Sequence, residues 1–161
     1  MIIALIGMTG VGKTTVGKIL ARKLSYAFLD TDEIISAVTQ KKPAEIFAES
    51  GEQIFRNIES ETLENALVRD NIVLSCGGGI ILREKNCGLL KQKARVIWLV
   101  RPVEQIMQNP EILSRPPIYN KPENYANALK ARESLYAQTC HLKINFSDAG
   151  EAAAQIIAKL T

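Results

Sequence analysis

Five short, nearly unbroken apolar runs punctuate the chain: IIALI (residues 2–6), AFLD (27–30), NIVLS (71–75), RVIWLV (95–100) and HLKIN (141–145). Their brevity and aliphatic, β-branched character predict strands, and the near absence of polar alternation predicts strands covered on both faces. Between them the period changes. Over residues 12–24, Val16, Ile19, Leu20 and Leu24 recur at three- and four-residue steps, and over 54–67 the stripe is Ile54, Phe55, Ile58, Thr62 and Ala66. Both spacings predict amphipathic helices. Alternating strands and helices predict an α/β domain with a mostly parallel sheet, whose ligands sit in loops beyond the carboxyl ends of the strands. One stretch breaks the rhythm. QNPEILSRPPIYNKPEN, residues 108–124, holds four of the six prolines and predicts an irregular segment that acts as a lid.

Composition narrows the class. With 161 residues, 47% apolar and 23% charged, the chain is expected to form a single domain spanning 1–161, neither disordered nor fibrous nor membrane-embedded. A net charge of +3 and the lack of any run of five or six like charges argue against nucleic-acid or membrane-surface partners. No apolar stretch reaches 18 residues, and MIIALIG enters a glycine loop without a basic leader, so a cytoplasmic location is expected. Cys76, Cys87 and Cys140 lack metal-binding spacing and are read as free thiols. His141, the single histidine, has no spaced metal partner or nucleophile and is read as structural.

Chemistry enters at GMTGVGKT, residues 7–14, which follows the first predicted strand and opens the first predicted helix. It satisfies GxxxxGK[ST] at every required position, a match expected by chance in about one of a few hundred chains of this length. Glycines let successive N–H groups converge on a phosphate, and the helix N-terminus adds partial positive charge. The loop (Gly7, Met8, Thr9, Gly10, Val11, Gly12, Lys13, Thr14, Thr15) therefore binds a nucleotide. Lys13 can reach the β and γ phosphates, and Thr14 Oγ can ligate Mg²⁺.

The acceptor must be read elsewhere. GEQIFRNIE (51–59) places Arg56 and Glu59 three residues apart, beside the apolar stripe, where a surface ion pair is the plain reading. SCGGGI (75–80) sets Gly77, Gly78 and Gly79 directly after the third strand, and three glycines suggest a backbone that must approach a ligand closely. Arg115 lies in LSRPPI and Arg132 in KARESLY; taken singly, each reads as a solvated charge. LDTDEI (29–34) carries Asp30 and Asp32 at a spacing of two, so that in an extended strand end both face one cleft, with Asp32 also able to begin the next helix.

Taken together and in order, GMTGVGKT, LDTDEII, IFAESGEQIFRNIE, LSCGGGI, the RP of the proline-rich segment and KARESLY resemble the shikimate kinases across nearly the whole chain. That resemblance implies a P-loop three-layer α/β/α fold, with a five-stranded parallel sheet of order 2-3-1-4-5 and a mobile lid. It implies transfer of the γ-phosphoryl of ATP to the 3-hydroxyl of shikimate by a monomeric enzyme of aromatic amino-acid biosynthesis. Carried over position by position, Arg56 and Arg132 hold the shikimate carboxylate and Asp32 accepts from the ring hydroxyls. The backbone of Gly77, Gly78 and Gly79 closes on the ring, and Glu59 positions the arginines. Lys13 and Arg115 neutralise the transferred group, while Thr14 and Asp30 serve Mg²⁺. The chain departs from the family in reading RPPI for RPLL, Gln108 for a basic residue, Cys76 for threonine, and NFSDAG without a base to stack on adenine. Two other readings stay open: a gluconate or nucleoside-monophosphate kinase, and a nucleotide-binding regulatory module without turnover.

Overall fold

The computed structural model describes residues 1–114 and 117–160 and, for residues 113, 114, 117 and 118, the backbone alone. The apolar runs are the strands: β1 (Ile2–Ile6), β2 (Ala27–Asp30), β3 (Ile72–Ser75), β4 (Arg95–Val100) and β5 (Leu142–Asn145). All neighbours pair in parallel, in the order β2-β3-β1-β4-β5. β1 is central, and all five of its residues are buried, as an unbroken aliphatic strand covered on both faces must be. β3 starts one residue later than its apolar run because Asn71 takes a left-handed conformation, φ 53°, which asparagine tolerates and a strand does not. β5 likewise omits His141. The imidazole Nδ1 accepts from the Val96 N–H at 3.0 Å, a structural task as expected.

Nine helices occur among the described residues: α1 (Lys13–Leu24), α2 (Thr31–Thr39), α3 (Pro43–Ser50), α4 (Glu52–Ala66), α5 (Glu84–Lys93), α6 (Val103–Met107), α7 (Pro117–Asn120), α8 (Pro122–Thr139) and α9 (Ala149–Leu160). α1 and α9 pack together against one side of the sheet, and α5 and α8 meet β4 from the other. The main core joins the strands to Val16, Leu20, Leu63, Tyr125, Tyr136 and Ile156. A smaller cluster of Ile35, Ile46 and Phe55, flanked by Ile58, ties α2, α3 and α4 into a helical flap at the carboxyl end of β2.

The predicted stripe of α4 needs one correction. Ile54 is 49% exposed, whereas Leu63 and Glu59 are buried with Phe55, Thr62 and Ala66; the helix turns a half-step from the predicted phase because Leu63, not Ile54, reaches the sheet core. The proline-rich stretch is also less irregular than predicted. A 3-10 turn spans Pro110–Ser114, α7 follows, and Pro122 opens α8, since proline suits the first helical turn, where its missing N–H costs nothing. Arg115 and Pro116 lie outside the described residues.

Candidate active site

The phosphate loop joins β1 to α1. Gly10 and Gly12 take φ 79° and 108°, a region that favours glycine. Met8 and Val11 are buried in the core at 2% exposure each, so only their backbone faces the loop. Lys13, buried at the base, donates from Nζ to the carbonyls of Gly7 and Met8 at 2.8 Å each. The cavity above holds Lys13, Thr14, Thr15, Asp30, Asp32 and Gly77, with Asn109 and Glu111 reaching it from the proline-rich side.

Asp30 and Asp32 both line that cavity, though not as two residues of one strand end. β2 stops at Asp30, and α2 begins at Thr31 with Asp30 as its N-cap: Oδ1 accepts from the N–H groups of Asp32 at 2.9 Å and Glu33 at 3.4 Å. The cap expected of Asp32 thus belongs to Asp30, because the aspartate with extended backbone can fold its carboxylate back onto the second and third helical N–H groups. The other oxygen, Oδ2, accepts from Thr14 Oγ1 at 2.9 Å. One carboxylate therefore starts α2 and binds β2 to the phosphate loop.

Arg56 and Glu59 form no surface pair. Their side chains are 11% and 1% exposed, with Nη1 donating to Oε1 at 2.8 Å, and the arginine lies over the Phe55 ring at 5.1 Å. Burial raises the Glu59 carboxyl above its ordinary value, and the Arg56 charge opposes that shift. A raised folded-state pKa means that the contribution of Glu59 to stability is complete below the ordinary glutamate pKa of 4.5 and is lost as pH rises through the raised value. We therefore expect Glu59→Gln to flatten that descending limb in urea melts at pH values above 4.5. The same variant should raise KM for the acceptor by about tenfold, since Arg56 loses a charge-assisted bond of ~1.5 kcal/mol. An unaltered pH slope would show that Glu59 carries its charge equally in both states.

The three glycines after β3 each answer to a different neighbour. A Cβ on Gly77 would stand 2.9 Å from Glu59 Oε2 and 3.3 Å from Asp32 Oδ1; one on Gly78 would stand 3.0 Å from Thr9 Oγ1; one on Gly79 would overlap the Arg56 guanidinium. Close approach is thus demanded by this chain's own groups: the acid pair, the phosphate loop and the arginine meet across Gly77, Gly78 and Gly79. The Gly77 N–H donates to Thr31 Oγ1 at 3.0 Å. Cys76 beneath is 1% exposed, its thiol pushed up by burial, so sulfur in that place is inert.

Arg132 projects from α8. Nη2 donates to Tyr119 Oη at 3.1 Å, the guanidinium lies over the Tyr119 ring at 5.7 Å, and Nη1 is buried with no hydrogen-bond partner among the described residues. A buried, unspent guanidinium donor is unfavourable unless a ligand takes it. Three further features escaped the sequence reading. Tyr125 and Tyr136 on α8, both 0% exposed, donate to Thr9 O at 2.7 Å and Gly78 O at 2.5 Å; spacings of seven and four from Tyr125 through Arg132 to Tyr136 were their signal. Phe146 follows β5, whose Asn145 pairs with Val100, so the next residue of β4's chain, Arg101, lies 5.3 Å over the Phe146 ring. Arg101, the residue after β4, and Phe146 together border the phosphate loop beside Gly12.

A nucleotide loop, a buried lysine and a guanidinium-lined flap at the carboxyl end of a parallel sheet define a P-loop phosphotransferase that acts on a small anionic acceptor. Comparison with known proteins places it more narrowly. The family described as shikimate kinase matches residues 9–161. A shikimate kinase of Clostridium botulinum (strain Eklund 17B / Type B) is 39% identical over 155 residues, covering 96% of this chain and 93% of the relative. The structure of a shikimate kinase from Acinetobacter baumannii in complex with shikimate superposes with a TM-score of 0.92 at 34% identity, covering 99% of this chain and 92% of that one. The structure of the shikimate kinase from Aquifex aeolicus superposes with a TM-score of 0.87 at 28% identity, covering 99% of this chain and 96% of that one. The chain belongs to the shikimate kinase family.

Proposed function

We propose that the protein transfers the γ-phosphoryl of ATP to the 3-hydroxyl of shikimate, acting as one domain over residues 1–161, as a monomer in the cytoplasm. No described helix is long and apolar enough to cross a membrane. What carries the reading is the glycine run of Gly77 to Gly79, which packs the Arg56–Glu59 pair and Asp32 directly against Thr9 of the phosphate loop. An acceptor held by one lies next to a phosphate held by the other.

On the donor side the loop amides and the α1 N-terminus cradle the phosphates, and Lys13 exchanges the Gly7 and Met8 carbonyls for phosphate oxygens. The cleft of Arg101, Phe146 and Asn145 takes the base. Thr14 Oγ1 and Asp30 Oδ2, 2.9 Å apart beside Lys13, are hard oxygens of the kind Mg²⁺ favours and would hold the ion. When bound, it would supply positive charge to the phosphates. Arg56 and the free Nη1 of Arg132 grip the carboxylate of the acceptor, a task suited to planar guanidinium forks. Asp32 accepts from the attacking hydroxyl and orients it. The loose transition state of phosphoryl transfer asks for placement and charge more than for a strong base. Residues 108–124 close as a lid, bringing Arg115 to the transferred group. Ile112 already lies against Gly10 and Asn109 and Glu111 line the cavity, so the segment adjoins the donor site from the start.

An acceptor panel with coupled detection of ADP release tests the assignment. Turnover with shikimate is expected; turnover with gluconate or a nucleoside monophosphate but not shikimate would overturn it, and Mg²⁺-dependent ATP binding without acceptor-dependent ADP would favour a regulatory module. Arg132→Lys should weaken shikimate binding by about 10- to 100-fold, the ~1.5–3 kcal/mol of a charge-assisted bond, while calorimetry finds the nucleotide constant nearly unchanged. A single ammonium cannot hold Tyr119 and a carboxylate in the fork geometry. Equal weakening of both ligands would contradict the placement of Arg132.

A further inference from the structure

α8 reaches both the phosphate loop and the glycine loop. Within twelve residues it presents Tyr125, Arg132 and Tyr136, and each makes a different attachment. The Tyr125 hydroxyl donates to Thr9 O in the phosphate loop. The Tyr136 hydroxyl donates to Gly78 O in the glycine loop and lies 3.7 Å from the sulfur of Met8, again in the phosphate loop. Arg132 lies one helical turn before Tyr136 on the same helix, and its charge acts on that hydroxyl, as that of Arg56 does. Thr9 and Gly78 in turn pack backbone against backbone, with so little room that a Cβ on Gly78 would stand 3.1 Å from Thr9 N.

We infer that Tyr125 and Tyr136 are positioning residues that couple the two substrate sites through α8. Neither is placed to touch the reacting atoms. When an acceptor carboxylate engages Arg132, any shift of α8 is carried by two buried hydroxyls to the carbonyls of Thr9 and Gly78, whose peptide planes orient the donor loop. A phenyl ring would fill the same space, so the hydroxyl alone carries the link, and its loss leaves a buried carbonyl without its donor. Coupling of this kind is reciprocal: the acceptor tightens the nucleotide by the factor by which the nucleotide tightens the acceptor.

The experiment uses the full chain, shikimate, and ADP with Mg²⁺, which together form an unreactive ternary complex. Trp98, the only tryptophan, stacks on Tyr136 with centroids 5.6 Å apart and planes at 20°, so its fluorescence reports the motion directly and calorimetry gives the constants. In the parent protein, saturating ADP should tighten shikimate by about fivefold or more. In Tyr136→Phe that ratio should fall close to one, with the shikimate constant measured alone changing far less than the ratio. Tyr125→Phe should lower the ratio as well, and it decides the matter if Tyr136→Phe does not fold. A ratio of one in the parent, a ratio untouched by either substitution, or loss of both binary affinities with the ratio preserved would overturn the inference. It rests on the donor and acceptor sites assigned above. A parent protein that binds no shikimate sinks that assignment, whereas one that binds both ligands with an unaltered ratio in the variants sinks only the coupling.

Discussion

Replacing Lys13 by alanine should lower kcat on the order of 10²- to 10³-fold, about 3–4 kcal/mol of lost transition-state stabilisation, with the fold intact. Lys13 is 8% exposed, and a buried cation is normally held in place by partners whose loss destabilises the protein. Here two of those partners are the carbonyls of Gly7 and Met8, in a loop that opens onto a cavity, so water can replace the ammonium when it is removed. The structural cost should therefore be small, and the melting midpoint without ligand should move by a few degrees at most. Catalysis has no such substitute. Charge on the transferred phosphoryl group develops inside a site from which water is excluded, and a fixed ammonium is worth far more there than in bulk. Single-turnover rates with saturating ATP and shikimate separate the two effects. A variant that keeps a tenth of the parent rate would mean that Lys13 is a tether for the loop carbonyls rather than a partner of the phosphates.

The same contrast between local grammar and tertiary placement decides what could be read from the chain alone. The strands were legible because their apolar runs are covered on both faces, and the phosphate loop because its spacing is dictated by backbone geometry. The phase of α4 was not, since Ile54 and Leu63 are equally apolar and only contact with the sheet distinguishes them. For Arg56 and Glu59, spacing predicts a pair but not its depth; the glycines that admit the pair lie some twenty residues away. Likewise, the seven- and four-residue spacing places Tyr125 and Tyr136 on one helix face with Arg132 but does not mark them as more than core aromatics, because their hydroxyl partners are carbonyls on distant loops. Arg101 was invisible for a related reason: it joins Phe146 only through the β4–β5 register. The roles of single residues thus become readable where chain topology, not sequence distance, sets the neighbours.

Asp30→Asn and Asp32→Asn should separate by phenotype, although the residues are two apart and share one cavity. In Asp30→Asn the side-chain carbonyl can keep the place of Oδ1 as cap acceptor for the Asp32 and Glu33 amides, because asparagine caps as well as aspartate does. The other atom becomes an NH₂ facing Thr14, where Oδ2 now accepts from Oγ1. The anionic oxygen proposed for Mg²⁺ is replaced by a donor, so the Mg²⁺ concentration for half-maximal rate should rise by about tenfold or more, the ~1.5–3 kcal/mol of one charged contact, with kcat partly restored at high Mg²⁺. Asp32→Asn leaves Thr14 and the cap untouched. It removes the carboxylate proposed to accept from the attacking hydroxyl, so kcat should fall about 10²-fold or more, at the lower end for a lost general base, and no excess of Mg²⁺ should recover it. Asp30→Ala serves as the control, because it also removes the cap and should cost about 1 kcal/mol of stability that Asp30→Asn retains. If both asparagine variants showed the same Mg²⁺ dependence and the same residual rate, the two carboxylates would be acting as one charge, and the division between a metal-facing Asp30 and an acceptor-facing Asp32 would fall.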